Sequence, residues 1–544
     1  MIIAVLAYAG DVLIVGLAGV VAVIATTGGG EFSVVGLRVS ATRVSNPTVV
    51  LALLTALRCW LLPARAVLGR AGMTPRAIGV RVARWGEVML ASQRPAAALT
   101  RGVLLALAVL SVGLRIVNAS NPGFMTGDDV EINEMTFRAL FALDWPIWNV
   151  RSPFYPFSFI YPAQAVAVHL GVTDPAAIVV AGRLAVVALT TASVFVVYLI
   201  ARRLTGHGAM ALLAAVLFGT SRLHLWFGGT EYPRPVAGLF ILVAFYLLVS
   251  PSRSKTALAG ALLGVGAAMR FGELLFLAPA AAQLIVLRKY RLAALTAACG
   301  AVAFAAVLTL SDWLYWGSPF FSVLNLAEYT FVRGQSSAGF QPWFFYFVSG
   351  TNWTNLPVLC LSLAAFRLAD WRAGLWGWLP IVLLSLLSHK ELRYAIPIQP
   401  FLILAATCAF HALLRPAPEG RRGTLAAVLV ASMAFAVTIE LGDWRIRKTD
   451  DAVRLAREMS ASGVRGAALQ QVWRFGGRLY LPDVPTIIEL QEDVPQMLAE
   501  AAANPEVGAV VLLRSSLTAD LERRLEVSGF SRRVAEGQYA VFRR

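Results

Sequence analysis

The chain alternates long apolar runs with short polar breaks, and this alternation is its dominant pattern. A helix that crosses a bilayer needs ~20 mostly apolar residues, somewhat fewer where flanking side chains reach out to water. On that criterion roughly thirteen segments qualify as spans. The first runs from Ile2 or Val12 to Thr26, the second from Pro47 to Leu62, and the third from Gly102 to Val117. Between the second and third lies a loop holding Arg65, Arg70, Arg76, Arg81, Arg84 and Arg94. Lys and Arg collect in short cytoplasmic loops, so this one is expected to be cytoplasmic. Counting spans puts the other basic loops on the same face: Arg202-Arg203, Arg253 to Lys255, Arg288 to Arg291, Arg367 to Arg372 and Arg415 to Arg422.

The same count gathers five polar segments on the opposite, outer face. They are Asn118 to Pro156, Gly228 to Pro235, Arg270 to Glu273, Ser311 to Thr354, and the turn around His389. The stretch Phe159 to Gly171 is apolar but too short to span and reads as a half-buried interfacial helix. After a last span, Thr424 to Leu441, the pattern changes. From about Asp450 to Arg544 it fits a soluble α/β unit, placed outside by the span count. Asp451 to Ala461 and Glu492 to Ala503 read as helices, Gly466 to Leu469 and Val507 to Leu513 as strands. Gly476-Gly477 falls short of a phosphate-binding loop.

Composition supports the membrane reading, with 58% hydrophobic and 14% charged residues. The net charge of +16 sits largely in the inner loops. It therefore reports topology, and no nucleic-acid module accompanies it. Cys59, Cys299, Cys360 and Cys408 lie in or beside apolar runs without metal-ligand spacing, as small packing residues do. The N-terminus lacks a basic region and Asp11 interrupts its apolar run, so no cleavable signal is expected.

Candidate chemistry sits in the outer segments. His389, Lys390, Glu391 and Arg393 crowd a turn between the apolar runs Gly374 to Leu387 and Ala395 to Leu414. A charge near hydrocarbon costs several kcal/mol unless it faces protein interior or water, which marks such residues as functional candidates. A lipid-headgroup anchor needs only Lys and Arg, whereas this turn adds a histidine and an acid. Asp128 and Asp129 follow the third span. Either caps a helix there, with Glu131 and Glu134 favoured by its positive end, or one of them takes a proton from a hydroxyl. Glu231 and Arg234 share one outer turn, as substrate groups or as a local ion pair. The aromatics of Ser311 to Thr354 suit an interfacial belt or a platform for a sugar and a lipid chain. His169, His207, His224 and His411 are scattered and read as structural.

Ser388-His389-Lys390-Glu391-Leu392-Arg393-Tyr394, followed by Pro397 and Pro400, resembles the His-Lys-Glu-x-Arg-aromatic signature of family 22 glycosyltransferases. These are membrane mannosyltransferases of the GT-C fold that work in GPI-anchor and N-glycan assembly. Tyr394 stands where the family usually has Phe. Asp312-Trp313-Leu314-Tyr315-Trp316-Gly317, Asn325-Leu326 and Pro342-Trp343 through Phe347 resemble further family segments. Arg270 falls at an Arg-Pro-Thr-like turn of the family, here without Pro or Thr. The family's acidic pair, often Asp-Glu, matches Asp128-Asp129. The resemblance covers Gly102 to Leu414 in ordered motifs and leaves out the first two spans and the C-terminal unit.

The resemblance implies a GT-C type α-helical polytopic membrane protein, and the pattern after Asp450 adds a small C-terminal α/β extramembrane domain. Residues 1–65 are two extra spans, 66–101 the Arg-rich loop, 102–441 the catalytic module and 450–544 the outer domain. It implies inverting mannosyl transfer from a polyprenyl-phosphate sugar to a glycan, lipid or protein acceptor, at the outer face and without an obligatory metal or other cofactor. A bacterial plasma membrane is the expected location. Asp128 is carried over as base with Asp129 beside it, the order of the two left open. His389, Lys390, Arg393 and Arg270 are carried over as the phosphate site. Glu391, Tyr394, Glu231, Arg234, Asp312, Trp343 and Tyr346 are possible substrate contacts. The alternatives are another GT-C transferase, of protein O-mannosyl or lipid A type, or a lipid or sugar transporter. A transporter would place charges near the bilayer midplane and often carry an inverted repeat.

Overall fold

A computed structural model describes residues 30–34, 37–41, 97–145, 147, 149–332, 340–414, 437–438, 440–444, 450–490 and 494–544. The first two expected spans, the loop from Arg65 to Arg94 and most of the last expected span lie outside the described residues. Thr100–Ser120, Pro175–Thr205 and Tyr290–Trp316 are long and apolar enough to cross a membrane. Gly208–Gly219, Arg234–Leu248, Phe271–Val286, Leu356–Leu368 and Gln399–Leu414 are apolar but shorter. The chain is a helical integral membrane protein. Among the described residues, three of the thirteen expected spans meet the length criterion on their own.

Local sequence sets the limits of these helices. Pro175–Thr205 begins at Asp174, whose carboxylate accepts from the Ala177 N–H, with Pro175 in the first turn. It ends at Gly206, in the left-handed conformation at φ 69°. Arg253–Met269 and Tyr290–Trp316 pack backbone to backbone: a Cβ on Gly264 would lie 2.2 Å from the Gly300 carbonyl oxygen. Small residues allow that approach where lipid supplies no hydrophobic drive between helices. The bundle's centre is aromatic. Trp376 lies 5.1 Å from Phe245 and 5.4 Å from Phe401 between ring centroids, and its indole N–H donates to Gln283 Oε1 at 2.8 Å.

Three local elements differ from the expected outline. Gly30–Val34 and Leu37–Ala41 pair as an antiparallel hairpin between the first two expected spans. Pro156–Ile160 forms a π-helical turn that continues into the helix Tyr161–His169. Tyr290–Trp316 runs past the expected loop start to Gly317, so Asp312 sits on a helix.

Residues 450–544 hold a five-stranded sheet in the order Thr486–Leu490, Gly466–Gln470, Val507–Leu513, Tyr539–Arg543, Ser531–Glu536. The first three strands are parallel and the last two pairings antiparallel. Side chains alternate across a strand. Ala468, Val510 and Leu512 accordingly pack one way, with Leu498 and Leu525. Ala467, Leu469 and Val511 pack the other way, in one apolar cluster with Phe124, Val130, Phe137 and Ile178 of the helical part. The sheet is therefore seated on the segment that follows the Ala97–Ser120 helix.

Candidate active site

That segment becomes the helix Gly127–Phe141. Its cap is Thr126, whose hydroxyl accepts from the Asp129 N–H at 3.4 Å, so neither aspartate serves as cap. Both lie in the first turn, where the helix dipole favours negative charge. They point apart. Asp129 is fully buried and its Oδ2 accepts from the Met125 N–H at 3.3 Å. Asp128 meets three guanidinium groups: Arg151, Arg270 at 3.1 Å and Arg393 at 3.3 Å. Arg151 also bonds Glu131 at 2.8 Å, three residues on and on the same helix face.

Each arginine arrives from a different element. Arg270 ends the Arg253–Met269 helix in an extended conformation just before the 3-10 turn Phe271–Phe276. Arg393 belongs to the 3-10 turn Leu392–Ala395. Its guanidinium binds both oxygens of Glu391 and lies 5.1 Å from the Tyr232 ring centroid. His389 Nε2 lies 3.1 Å from Glu391, so His389, Glu391 and Arg393 form one chain of contacts ending at Asp128. Arg234 begins the helix Arg234–Leu248, pairs with Glu273, and stacks 4.3 Å from the Tyr394 ring centroid.

A cavity of about 550 Å³ opens beside this cluster. It is lined by Arg151, Arg234, Arg270 and Tyr394 together with Leu275, Leu326, Leu383 and Leu387 among other apolar side chains. Asp128 stands one contact behind the wall, through Arg151 and Arg270. Burial alone would raise its carboxyl pKa. The opposing fields of Arg151, Arg270, Arg393 and Arg234 outweigh burial and hold the group well below the usual carboxylate range. Each guanidinium has five N–H donors in a planar fork, so those bound to carboxylates retain donors for an anion in the cavity.

The remaining expected site residues are placed elsewhere. Lys390 is buried and donates to the carbonyls of Gln341 and Leu387, tying the turn to the long loop instead of facing Asp128. Tyr346 is buried with its hydroxyl on the Glu391 carbonyl at 3.1 Å, so it supports the turn from behind. Asp312 is buried against the Ser322 hydroxyl and backbone N–H. Trp343 is 67% exposed and packs on Phe344 and Phe347, as an interfacial aromatic does. Glu231 and Arg234 do not pair with each other. Glu231 is bound by Arg183 at 2.7 Å and Asn133 at 2.8 Å, while Arg234 holds Glu273.

Sequence reasoning missed Arg151, Arg183 and Glu273. Arg151 carried a weak signal, as an isolated arginine in the outer segment that also holds Asp128. Arg183 lies inside an apolar span, where a charge is itself a flag. It donates to the carbonyls of Ala119, Asn121 and Gly123 and so pins the loop that leads to Asp128. Among the described residues no cluster of three or more His, Cys, Asp or Glu is arranged to hold a metal ion.

The profile of the Alg9-like mannosyltransferase family matches residues 135–443, more than half of the chain, starting just after the aspartate pair. A 104-residue stretch is 31% identical to GPI mannosyltransferase 3 of Debaryomyces hansenii, covering 18% of this chain and 19% of that protein. A 121-residue stretch is 32% identical to alpha-1,2-mannosyltransferase ALG9 of Saccharomyces cerevisiae, covering 21% of each. The chain thus matches about a fifth of the length of these curated relatives. In fold it is similar to ArnT from Cupriavidus metallidurans, in the apo state (TM-score 0.56, 15% identity) and bound to undecaprenyl phosphate (TM-score 0.56, 14% identity). Both comparisons cover 81% of this chain and 98% of ArnT. It is also similar to the mycobacterial arabinofuranosyltransferase AftD, at a TM-score of 0.50 and 16% identity over 81% of this chain and 40% of AftD. These likenesses are of fold, and the fold is GT-C.

Proposed function

The chain belongs to the Alg9-like mannosyltransferase family, and from that premise we propose that it moves a mannosyl group from a polyprenyl-phosphate donor to an acceptor hydroxyl, with inversion, at the outer face of its membrane. The observation that carries this reading is the cavity itself. Its lining combines three guanidinium groups, two of them paired with the Asp128 carboxylate behind the wall, with a mostly apolar remainder that includes six leucines. A prenyl phosphate has the matching combination, an anionic head on an apolar chain. The solved ArnT complex with undecaprenyl phosphate supports the same donor class on this fold.

The arrangement of charges supports the following steps. The donor phosphate enters beside the cavity's guanidinium groups and draws Arg151, Arg270 and Arg393 toward its oxygens. That transfer uncovers Asp128, which in the free protein is masked by the same three groups. Asp128 then takes the acceptor's proton as the hydroxyl oxygen attacks the anomeric carbon. The new glycosidic bond forms while the sugar–phosphate bond breaks, and its electron pair leaves on the polyprenyl phosphate. The arginines stabilise that growing charge most in the transition state, which is where binding accelerates a reaction. A positioned general base contributes typically 10²–10⁴-fold.

The test supplies purified protein in lipid with polyprenyl-phosphate sugars radiolabelled on mannose, glucose or arabinose, together with membrane lipid acceptors. Label should move from the mannosyl donor. Asp128→Asn should fold and insert as before but lose turnover on the order of 10²-fold or more. Turnover of at least half the wild-type rate in that variant would remove Asp128 as base.

A further inference from the structure

The loop and helix that carry Asp128 are held from two sides. Arg183 pins the loop from within the bundle, as described above. From the other side comes the C-terminal sheet, through the turn at Gly476 and Gly477. Both glycines have positive φ, 78° and 54°. The Arg478 N–H donates to Glu134 Oε1 at 3.1 Å. The Tyr480 hydroxyl donates to the Pro122 carbonyl at 3.2 Å. Its ring lies 5.9 Å from Phe124, the same ring over which Arg183 sits at 5.2 Å. The contact is tight. A Cβ on Gly477 would lie 2.4 Å from Glu134 Oε1 and 2.8 Å from Val130 Cγ1, against 3.4 Å for an ordinary contact.

Helix geometry links this joint to the reaction. Val130 and Glu134 are four residues apart and share one face of the Gly127–Phe141 helix. Asp128 and Glu131 share another, turned to the arginines. The sheet therefore holds the helix on one face while the arginines engage the other. A displacement at Val130 moves Asp128, two residues away on the same rigid turn.

We propose that the C-terminal unit is a positioning element for the transfer reaction, with Gly477 and Glu134 as positioning residues that set where Asp128 stands relative to its arginines. This rests on the reading of Asp128 as base. Glu134 cannot swing clear of a new side chain without giving up the Arg478 N–H. Val130 is β-branched and stiff about χ1, so the strain passes into the helix. Misplacing a reacting group by about an ångström costs on the order of 10²-fold.

Full-length Gly477→Ala, Glu134→Ala and Glu134→Gln provide the test. For each, kcat and the donor KM are measured with polyprenyl-phosphate mannose, with donor bound per protein and hydrogen exchange across residues 124–136. Gly477→Ala should lower kcat roughly 10–100-fold, with donor KM within about twofold, full donor binding and faster exchange over that segment. Glu134→Ala should lose less, and Glu134→Gln, which keeps an oxygen for the Arg478 N–H, should recover to within about twofold of wild type. Faster exchange with kcat intact would overturn the proposal, because the sheet would then be attached without positioning anything. So would a kcat loss that only tracks loss of bound donor, since that is misfolding. If Gly477→Ala does not fold, the two Glu134 variants decide between these outcomes by themselves. Asp128→Asn in the same assay keeps the two ideas apart: if it stays active, the base assignment fails and this proposal with it, whereas if it is inactive while Gly477→Ala keeps kcat, the positioning idea alone fails.

Discussion

At the scale of single residues, the site turns on how arginines share carboxylates. Arg393 spends its Nε and Nη2 on Glu391, its Nη1 on Asp128 and its face on Tyr232. A lysine keeps the charge but has neither fork nor plane. Arg393→Lys should therefore lose turnover clearly, and Arg393→Ala more. If lysine is tolerated and added phospholipid compensates for alanine, the turn is a headgroup anchor and not part of the site. Arg151 offers a pH test. It is the foremost of the arginines holding the Asp128 carboxyl down against burial. In Arg151→Gln that carboxyl should rise, so a higher pH is needed to ionise it. The acid limb of kcat/KM should move to higher pH than in wild type. An unmoved limb would mean that Asp128 does not set it.

At the scale of elements, the informative one is the Gly127–Phe141 helix, gripped by the bundle and the sheet together. Burial pushes the Glu134 carboxyl from 4.5 up to about 7, against the Arg478 N–H and charge, which lower it, and with Glu131, which raises it. Docking is thereby linked to proton binding. The docked form holds a proton that the undocked helix would release, so docking is strongest below pH 4.5 and weakens as pH rises toward about 7. Above that the penalty is constant. Thermal melting of the full-length protein over this window should show the decline, and Glu134→Gln should show less of it. Identical pH dependence in the two proteins would rule Glu134 out as its source. The His389 turn was legible as an element because four ionisable residues interrupt an apolar stretch, an arrangement with few structural explanations. What Lys390 does there was not legible. Its partners are the carbonyls of Gln341 and Leu387, and a carbonyl exists at every residue, so sequence carries no mark of which one is used.

At the scale of the whole molecule, the sheet and the Asp128 helix share one apolar cluster, so the two must lie on the same side of the membrane. We expect that side to be opposite the loop from Arg65 to Arg94. Single cysteines near Glu391 and in residues 450–544 should both react with an impermeant reagent in intact cells. Reaction of the Glu391 site only after permeabilisation would reverse the orientation and move the reaction inside. The apolar runs and the spacing of charges between them were determined by the sequence itself, because burial in lipid is read residue by residue along the chain. Which of two adjacent acids meets the arginines was decided only in three dimensions. Consecutive residues on a helix point about 100° apart, and Val130 and Phe137 of Gly127–Phe141 belong to one apolar cluster with Ile178 and with sheet residues more than three hundred positions away, which fixes the helix's rotation. Ion partners were decided the same way. Arg183 with Glu231, Arg234 with Glu273 and Arg151 with Asp128 join segments that only the folded bundle brings together.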